Sequence, residues 1–133
     1  MVLVDTSVMI DYLQGNKNDA VLRFQYALDN GIPFGITPLI YQEVLQGIKT
    51  EKEFDKVKRY LDTQRFYILQ DERESYASAA KIYFKCRKKG ITISSTIGCL
   101  IAQAAMENNL LLLHNDSDFD RISKVVGLKI FNV

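Results

Sequence analysis

The chain has 133 residues, of which 47% are hydrophobic and 25% are charged, and its formal net charge is +1. This length and apolar content suit one domain over residues 1–133, and the near-neutral charge argues against an extended basic surface that wraps nucleic acid. With two cysteines, no CxxC spacing and a single histidine, the sequence also argues against a zinc site.

The sequence contains no candidate for a membrane segment, because its longest aliphatic run, LLLL at 110–113, is far too short to span a bilayer. Asp5 and Asp11 interrupt the first residues, and no positively charged leader precedes an apolar stretch, so no signal peptide is expected. Cys86 and Cys99 are expected as buried free thiols. We therefore expect a cytoplasmic protein without a membrane partner.

Short apolar runs alternate with amphipathic segments along the chain, which predicts an α/β fold. The predicted strands are MVLV at 1–4, FGI at 34–36, FYIL at 66–69, LLLL at 110–113 and LKIFNV at 128–133. The predicted helices are one that ends at Gly15-Asn16, one over 18–29, one that starts at Thr37-Pro38, and others over 51–63, about 71–89 and about 95–108, with a polar loop HNDSDFDR at 114–121. Because the strand runs are apolar throughout, we expect a central, mostly parallel sheet flanked by helices.

Two of the predicted strands end in acidic residues. MVLV runs into Asp5, and LLLL runs through His114 and Asn115 into Asp116, with Asp118 close behind. Ligands of open α/β sheets bind at the carboxyl ends of the strands, so these carboxylates meet at one edge if the two strands are parallel neighbours. The alternative is that each aspartate only caps the helix that follows it.

A third acidic position, Glu43, lies beside apolar residues of a predicted helix. An acid near an apolar face is rarely left unpaired, although it is alternatively a partly exposed glutamate or one paired with a lysine. Several carboxylates from separate segments favour a hard divalent cation, Mg²⁺ or Mn²⁺, over zinc. Such an ion suits hydrolysis or transfer at phosphate, and the chain has no P-loop, GxGxxG or GxSxG motif that indicates another chemistry.

Basic residues form two groups that are candidates for contact with phosphate groups. The first comprises Lys81, Lys85, Arg87, Lys88 and Lys89, and the second comprises Lys49, Lys52, Lys56, Lys58 and Arg59. The alternative is that they are the solvated faces of two helices.

Four segments of the chain resemble, in order and spacing, the PIN-domain ribonucleases of the VapC toxin type. They are VDTSVMIDYLQG at 4–15, TPLIYQEVLQG at 37–47, KKGITISSTIGCLIAQAA at 88–105 and LLLLHNDSDFDRI at 110–122. The resemblance implies an α/β domain with a central parallel sheet, an acidic site for Mg²⁺ or Mn²⁺, and endonucleolytic cleavage of structured RNA such as transfer or ribosomal RNA. It also implies a homodimer and inhibition by a VapB-type antitoxin that lies across the active-site groove.

The resemblance also assigns roles to individual positions. It implies catalytic acids at Asp5, Glu43, Asp116 and Asp118, of which Asp5 and Asp116 would be metal ligands. The supporting residues that it implies are Thr6 and Ser7, which match a polar pair beside the first acid, and Asn115.

Gly98 occupies the position where the resemblance implies a third acid, in the first turn of the helix that starts near Ser95. Glycine costs about 1 kcal/mol relative to alanine in a helix, whereas an acid in the first turn gains roughly 0.3–1 kcal/mol from the helix dipole. A shift of register to Ser94, Ser95 or Thr96 supplies no acid. Either this is an inactivated copy of a toxin or it is a paralogue that has lost activity, so we expect a weakened nuclease.

Two further functions are compatible with these residues. One is a catalytically dead PIN domain that holds an antitoxin or a second copy of itself, and it needs no divalent metal. The other is a metal-dependent phosphatase on a similar sheet, which a small phosphomonoester substrate would reveal.

Overall fold

Four short strands form an all-parallel sheet in the computed structural model, which describes residues 1–133. They are β1 (Val2–Val4), β2 (Phe34–Ile36), β3 (Arg65–Phe66) and β4 (Leu111–Leu113), in the spatial order β3-β2-β1-β4. Val4 pairs with Leu113, and the N–H of Asp5 donates to the carbonyl of Leu113 at 2.9 Å. The carboxyl ends of β1 and β4 are therefore neighbours at one edge, which is the condition on which the expected meeting of their acids depended.

Seven helices flank this sheet. They are α1 (Thr6–Leu13), α2 (Asp19–Asp29), α3 (Pro38–Gln46), α4 (Glu51–Asp62), α5 (Glu74–Lys88), α6 (Thr96–Glu107) and α7 (Ser117–Ser123). Thr37 caps α3 with Pro38 in its first turn, as predicted. The side chain of Ser95 caps α6, in accord with a helix predicted to start near this residue. The helix predicted to start at about Asp71 begins at Glu74 as α5. Asp71 lies just before it, and its carboxylate accepts hydrogen bonds from the N–H groups of Arg73 and Glu74 at 2.8 and 2.7 Å.

The core fills the space between the sheet and the helices with aliphatic side chains and few aromatic ones. Leu3, Phe24 and Leu112 are fully buried within it. Cys86 and Cys99 are buried free thiols, as expected, and burial raises the pKa of both. No helix of the chain combines the length and the apolar composition needed to cross a bilayer.

Three predicted elements differ from the structure. FYIL was wrong as a buried strand, because β3 lies at the edge of the sheet with one strand partner and consists only of Arg65 and Phe66, both exposed. LKIFNV forms a single parallel bridge between Ile130 and Leu112 rather than a strand. The polar loop at 114–121 contains the start of α7, whose short length and many polar residues hid its helical period.

Candidate active site

A cavity of about 230 Å³ lies at the carboxyl edge of the sheet, and its walls come from the segments after β1 and β4 together with α3 and α6. Its lining includes all four predicted acids and the glycine at the expected acidic position: Asp5, Glu43, Asp116, Asp118 and Gly98. The fold thus brings together residues that are more than 100 positions apart in the sequence.

Asp5 is one of the two buried acids of this cavity, together with Asp118. It directly follows β1, is only 5% exposed, and its Oδ2 accepts hydrogen bonds from the hydroxyl and the backbone N–H of Ser7 at 2.7 and 3.3 Å. Burial raises the pKa of Asp5, and the hydrogen bonds from Ser7 offset only part of that effect. The Ser7 hydroxyl also accepts a hydrogen bond from the N–H of Asn115 at 3.2 Å, which ties the end of β1 to the segment after β4.

Glu43 enters the cavity from the middle of α3. The hydroxyl of Thr6 donates a hydrogen bond of 2.7 Å to Oε1 of Glu43. The two residues of the expected polar pair therefore serve different acids, since Ser7 contacts Asp5 and Thr6 contacts Glu43. An electrostatic repulsion between Asp5 and Glu43 contributes to the raised pKa of Asp5, in accord with their placement in one cavity.

Asp116 caps α7 and lines the cavity at the same time. Its Oδ1 accepts a hydrogen bond from the N–H of Asp118 at 2.9 Å. Asp5 likewise caps α1 through Ser7. Asp5 and Asp116 therefore cap helices, as the alternative held, and both also line the cavity.

Both carboxylate oxygens of Asp118 are engaged by the protein. Oδ2 accepts hydrogen bonds from the N–H and the hydroxyl of Ser94 at 3.0 and 2.6 Å, and Oδ1 accepts one from Arg121 at 2.6 Å. Desolvation opposes ionisation of Asp118, but the contacts from Ser94 and Arg121 together hold its pKa below the ordinary value. Asp118 is thus fixed as an anion that joins the segment before α6 to α7.

Gly98 lies in the first turn of α6, where its N–H donates to the hydroxyl of Ser95 at 3.3 Å. A Cβ atom added to Gly98 would meet only ordinary contacts at 3.9 Å, with the ring of Phe119 and the side chain of Ser95. An added Cβ atom therefore fits at Gly98, and crowding of this atom does not explain the glycine.

The oxygen-rich lining suits a hard divalent ion. The hydrogen bonds at Asp5, Glu43 and Asp116 involve one carboxylate oxygen of each residue, and no side-chain donor engages the second oxygen of any of them. No group of three acidic, histidine or cysteine side chains is close enough to hold a metal. Mg²⁺ is usually held by one or two carboxylates and completes its shell with water and substrate oxygens, so two aspartates at this edge fit it.

His114 is held in place by its neighbours. Its Nδ1 accepts a hydrogen bond from the N–H of Asp116 at 3.0 Å, and its Nε2 lies 3.2 Å from Oδ1 of Asp120. Since both ring nitrogens are engaged, His114 orients the segment that carries Asp116.

The two basic groups do not line this cavity. On α5, Lys81 and Lys88 lie over the ring of Phe84, and Arg87 lies over the ring of Tyr83. Lys49 instead lines an apolar groove between α1, α3 and α4.

Sequence reasoning missed Arg23, which lines a second cavity of about 500 Å³ together with Asp116. Arg23 lies on α2 one turn from the buried Ala20 and Ala27. The signal in the sequence was a charged residue that lies three and four positions from apolar residues on one face of the predicted helix.

Comparison with known proteins identifies relatives along the whole chain. The family model described as PIN domain matches residues 2–125. Ribonuclease VapC11 of Mycobacterium tuberculosis (strain ATCC 25618 / H37Rv) is 26% identical over 130 residues, which cover 97% of this chain and 96% of that protein. Ribonuclease VapC1 of Methanocaldococcus jannaschii is 27% identical over 131 residues, which cover 98% and 87%.

The fold is also found among solved structures. The crystal structure of VapBC2 from Rickettsia felis bound to a DNA fragment from their promoter contains a chain that superposes with a TM-score of 0.74. The two chains are 16% identical, and the match covers 98% of this chain and 97% of that one.

Proposed function

Because the chain belongs to the PIN-domain family, we propose that it is the toxin of a VapBC-type toxin–antitoxin pair and a metal-dependent endoribonuclease. The proposed substrate is structured RNA, either transfer or ribosomal RNA, and the proposed partner is a VapB-type antitoxin. Relatives named VapC ribonucleases, similar over nearly the whole chain, support the activity, and the likeness to a chain of a VapBC complex supports the partner.

The observation that carries this proposal is the convergence of Asp5, Glu43 and Asp116 on one cavity at the carboxyl edge of the sheet. Asp5 and Asp116 would hold Mg²⁺ or Mn²⁺ through the oxygens that no side chain engages. When bound, such an ion supplies a water of lowered pKa and neutralises charge on phosphoryl oxygens.

The other polar residues have distinct roles in this proposal. Glu43 lines the cavity and would act as the proton acceptor for the attacking water through Oε2, which no hydrogen bond of the protein engages, whereas Thr6 engages Oε1. Ser7 and the backbone of Asn115 fix Asp5 relative to the end of β4. Asp118 acts as a positioning residue, since Ser94 and Arg121 engage both of its oxygens.

The activity of this chain is proposed to be weakened by Gly98. Glycine leaves the cavity with one carboxylate fewer than the family pattern implies, which lowers affinity for a divalent ion and loosens the position of the water. A Cβ atom at this position meets only ordinary contacts, so the first atom of an acidic side chain fits there.

The test compares cleavage of a total transfer RNA pool and of ribosomal RNA by the wild type, Gly98→Asp and Gly98→Ala. Each protein is assayed with Mg²⁺, with Mn²⁺ and with a chelator. Gly98→Asp is expected to cut at least about tenfold faster than the other two, and only with metal. Equal rates for the wild type and Gly98→Asp would contradict the proposed weakening, and cleavage that survives the chelator would contradict the metal.

A catalytically dead domain that binds an antitoxin is the second candidate. It is favoured by the glycine at position 98 and by the lack of three grouped metal ligands. If neither the wild type nor Gly98→Asp cuts RNA and calorimetry detects no binding of Mn²⁺, this candidate replaces the nuclease.

A homodimer is proposed as well. The helices between residues 18 and 63 carry exposed apolar side chains, namely Leu22, Tyr26 and Phe54. Burial of such side chains between two copies is favourable. Sedimentation equilibrium over a range of concentrations tests it, and a mass of 15.2 kDa at every concentration would contradict it.

A further inference from the structure

We propose that Arg23 binds a phosphate group of the RNA backbone beside the linkage that is cut. The inference rests on the proposed ribonuclease function and adds a substrate-binding residue to the acids of the candidate active site.

Arg23 lies on the inner side of α2. Its neighbours one turn away, Ala20 and Ala27, are buried, and so is the adjacent Phe24. The Arg23 side chain extends from this face into the cavity of about 500 Å³ that Asp116 also lines. Because Asp116 belongs to both cavities, the space around Arg23 adjoins the candidate active site.

The guanidinium of Arg23 has no partner in the protein. Its Nε is buried and makes no hydrogen bond, and no side-chain hydrogen bond or ion pair of the chain involves its other nitrogens. A guanidinium carries five N–H donors, and charged groups on buried faces are normally paired. An unpaired arginine in a cavity therefore points to a ligand that supplies the acceptors.

The acids that share the cavity with Arg23 are held by other residues. Asp120 contacts Nε2 of His114 at 3.2 Å, and Oδ1 of Asp116 accepts from the N–H of Asp118. Neither carboxylate lies within ion-pair distance of Arg23, which leaves the guanidinium as the cavity's unpaired cation.

The chemistry of Arg23 and of the walls around it suits a phosphate group of RNA. The planar guanidinium forms two parallel hydrogen bonds with phosphate oxygens. Because Asp116 lines both cavities, a strand whose scissile linkage lies at Asp5 and Asp116 would have a neighbouring phosphate on the side of Arg23. Asn115 and Ser117 line the same wall and add neutral polar groups that suit a sugar–phosphate backbone.

The first experiment measures binding of a 3′-labelled single-stranded RNA octamer by fluorescence anisotropy at several salt concentrations. It compares the wild type with Arg23→Met, Arg23→Lys and the control Lys17→Gln, which removes an exposed charge that lines neither cavity. Arg23→Met is expected to bind about fivefold to tenfold more weakly, and its slope of log K against log salt is expected to fall by about 0.7. Arg23→Lys should keep the slope, and Lys17→Gln should match the wild type.

Thermal unfolding separates this role from a structural one. Arg23 is half-buried and forms no ion pair, so its removal leaves no partner stranded, and Arg23→Met is expected to melt at about the same temperature as the wild type. A large drop in melting temperature for both Arg23→Met and Arg23→Lys would overturn the proposal and make Arg23 a structural residue.

A second readout uses the Arg23 Nε–H signal in NMR spectra of the wild type, assigned by its absence from Arg23→Lys. Inorganic phosphate and the RNA octamer are expected to shift it, and acetate is expected to shift it less. If the wild type binds or cuts RNA while Arg23→Met keeps the full affinity and slope, the proposal for Arg23 fails and the ribonuclease function stands. If phosphate shifts the signal but no protein binds the octamer or cuts transfer or ribosomal RNA, the ribonuclease function fails and RNA is excluded as the ligand. An equal response to acetate indicates a carboxylate of a protein partner instead.

Discussion

The hydroxyl of Thr6 donates a hydrogen bond of 2.7 Å to Oε1 of Glu43, which lies 37 residues further along the chain. This contact joins the first turn of α1 to the middle of α3 and orients one acid of the cavity.

Thr6→Val is expected to reduce RNA cleavage by Gly98→Asp about tenfold, because a hydrogen bond to a charged group contributes about 1.5–3 kcal/mol. Thr6→Ser keeps the hydroxyl and should retain most of the rate. Cleavage rates of the two double variants provide the measurement. Full activity in Thr6→Val would show that this contact does not position Glu43.

Gly98→Ala is expected to raise the free energy of unfolding by about 0.5–1 kcal/mol, because alanine is the better helix former and its Cβ meets only contacts at 3.9 Å.

Gly98→Asp is expected to be less stable than Gly98→Ala in the presence of chelator, since a further carboxylate enters a cavity that already holds Asp5 and Glu43. Mn²⁺ should raise the melting temperature of Gly98→Asp more than that of either other protein. An equal response of all three would exclude position 98 from the metal site.

Asp118→Asn is expected to lower the free energy of unfolding by about 2 kcal/mol, because the amide cannot accept all the hydrogen bonds that Ser94 and Arg121 donate to the buried carboxylate. Arg121→Gln is the matched control. Its side chain is 46% exposed, so its loss should cost about 0–1 kcal/mol. Urea unfolding measures both, and a smaller effect for Asp118→Asn than for Arg121→Gln would contradict the positioning role.

Glu107 is expected to make stability depend on pH. Partial burial opposes its ionisation, but hydrogen bonds from the N–H of Gln70, the amide of Gln103 and the hydroxyl of Ser75 hold its pKa below the ordinary value of 4.5. A lowered pKa in the folded state gives stability that is present above the unfolded pKa and is lost as the pH falls through the folded pKa.

The wild type should therefore lose more stability than Glu107→Gln as the pH falls from about 5 to about 3. Urea unfolding at a series of pH values measures this difference. If the free energies of unfolding of the two proteins change in parallel with pH, the ionised Glu107 contributes nothing to stability.

Gly35→Ala is expected to destabilise the sheet by about 1–3 kcal/mol. A Cβ at Gly35 would lie 2.6 Å from the backbone oxygen of Arg65 and 2.6 Å from the ring of Tyr67, and the backbone oxygen cannot move away without disturbing the pairing of β2 with β3. Gly127→Ala is the control, because nothing lies within 4 Å of the added atom. Similar unfolding curves for Gly35→Ala and Gly127→Ala would contradict the expected destabilisation at Gly35.

The acids of the candidate site were predictable because strand periodicity and the residue after each strand are local features. MVLV before Asp5 and LLLL before Asp116 predicted two strands with acidic ends, and the structure places both acids at one edge. FYIL had the same local pattern and was wrong, because its exposure depends on its place at the edge of the sheet. Composition alone does not distinguish an edge strand from a central one.

By itself, the sequence determined the alternation of strands and helices, the helix starts at Thr37-Pro38 and near Ser95, and the presence of glycine where a first-turn acid was expected. These follow from short-range preferences of the backbone and of side chains a few residues apart. Only the tertiary structure decided which carboxylate oxygens are engaged and that Arg23 has no partner. Those properties depend on distances between segments that are remote in sequence. The packing of the whole core sets these distances, and no local sequence pattern encodes them.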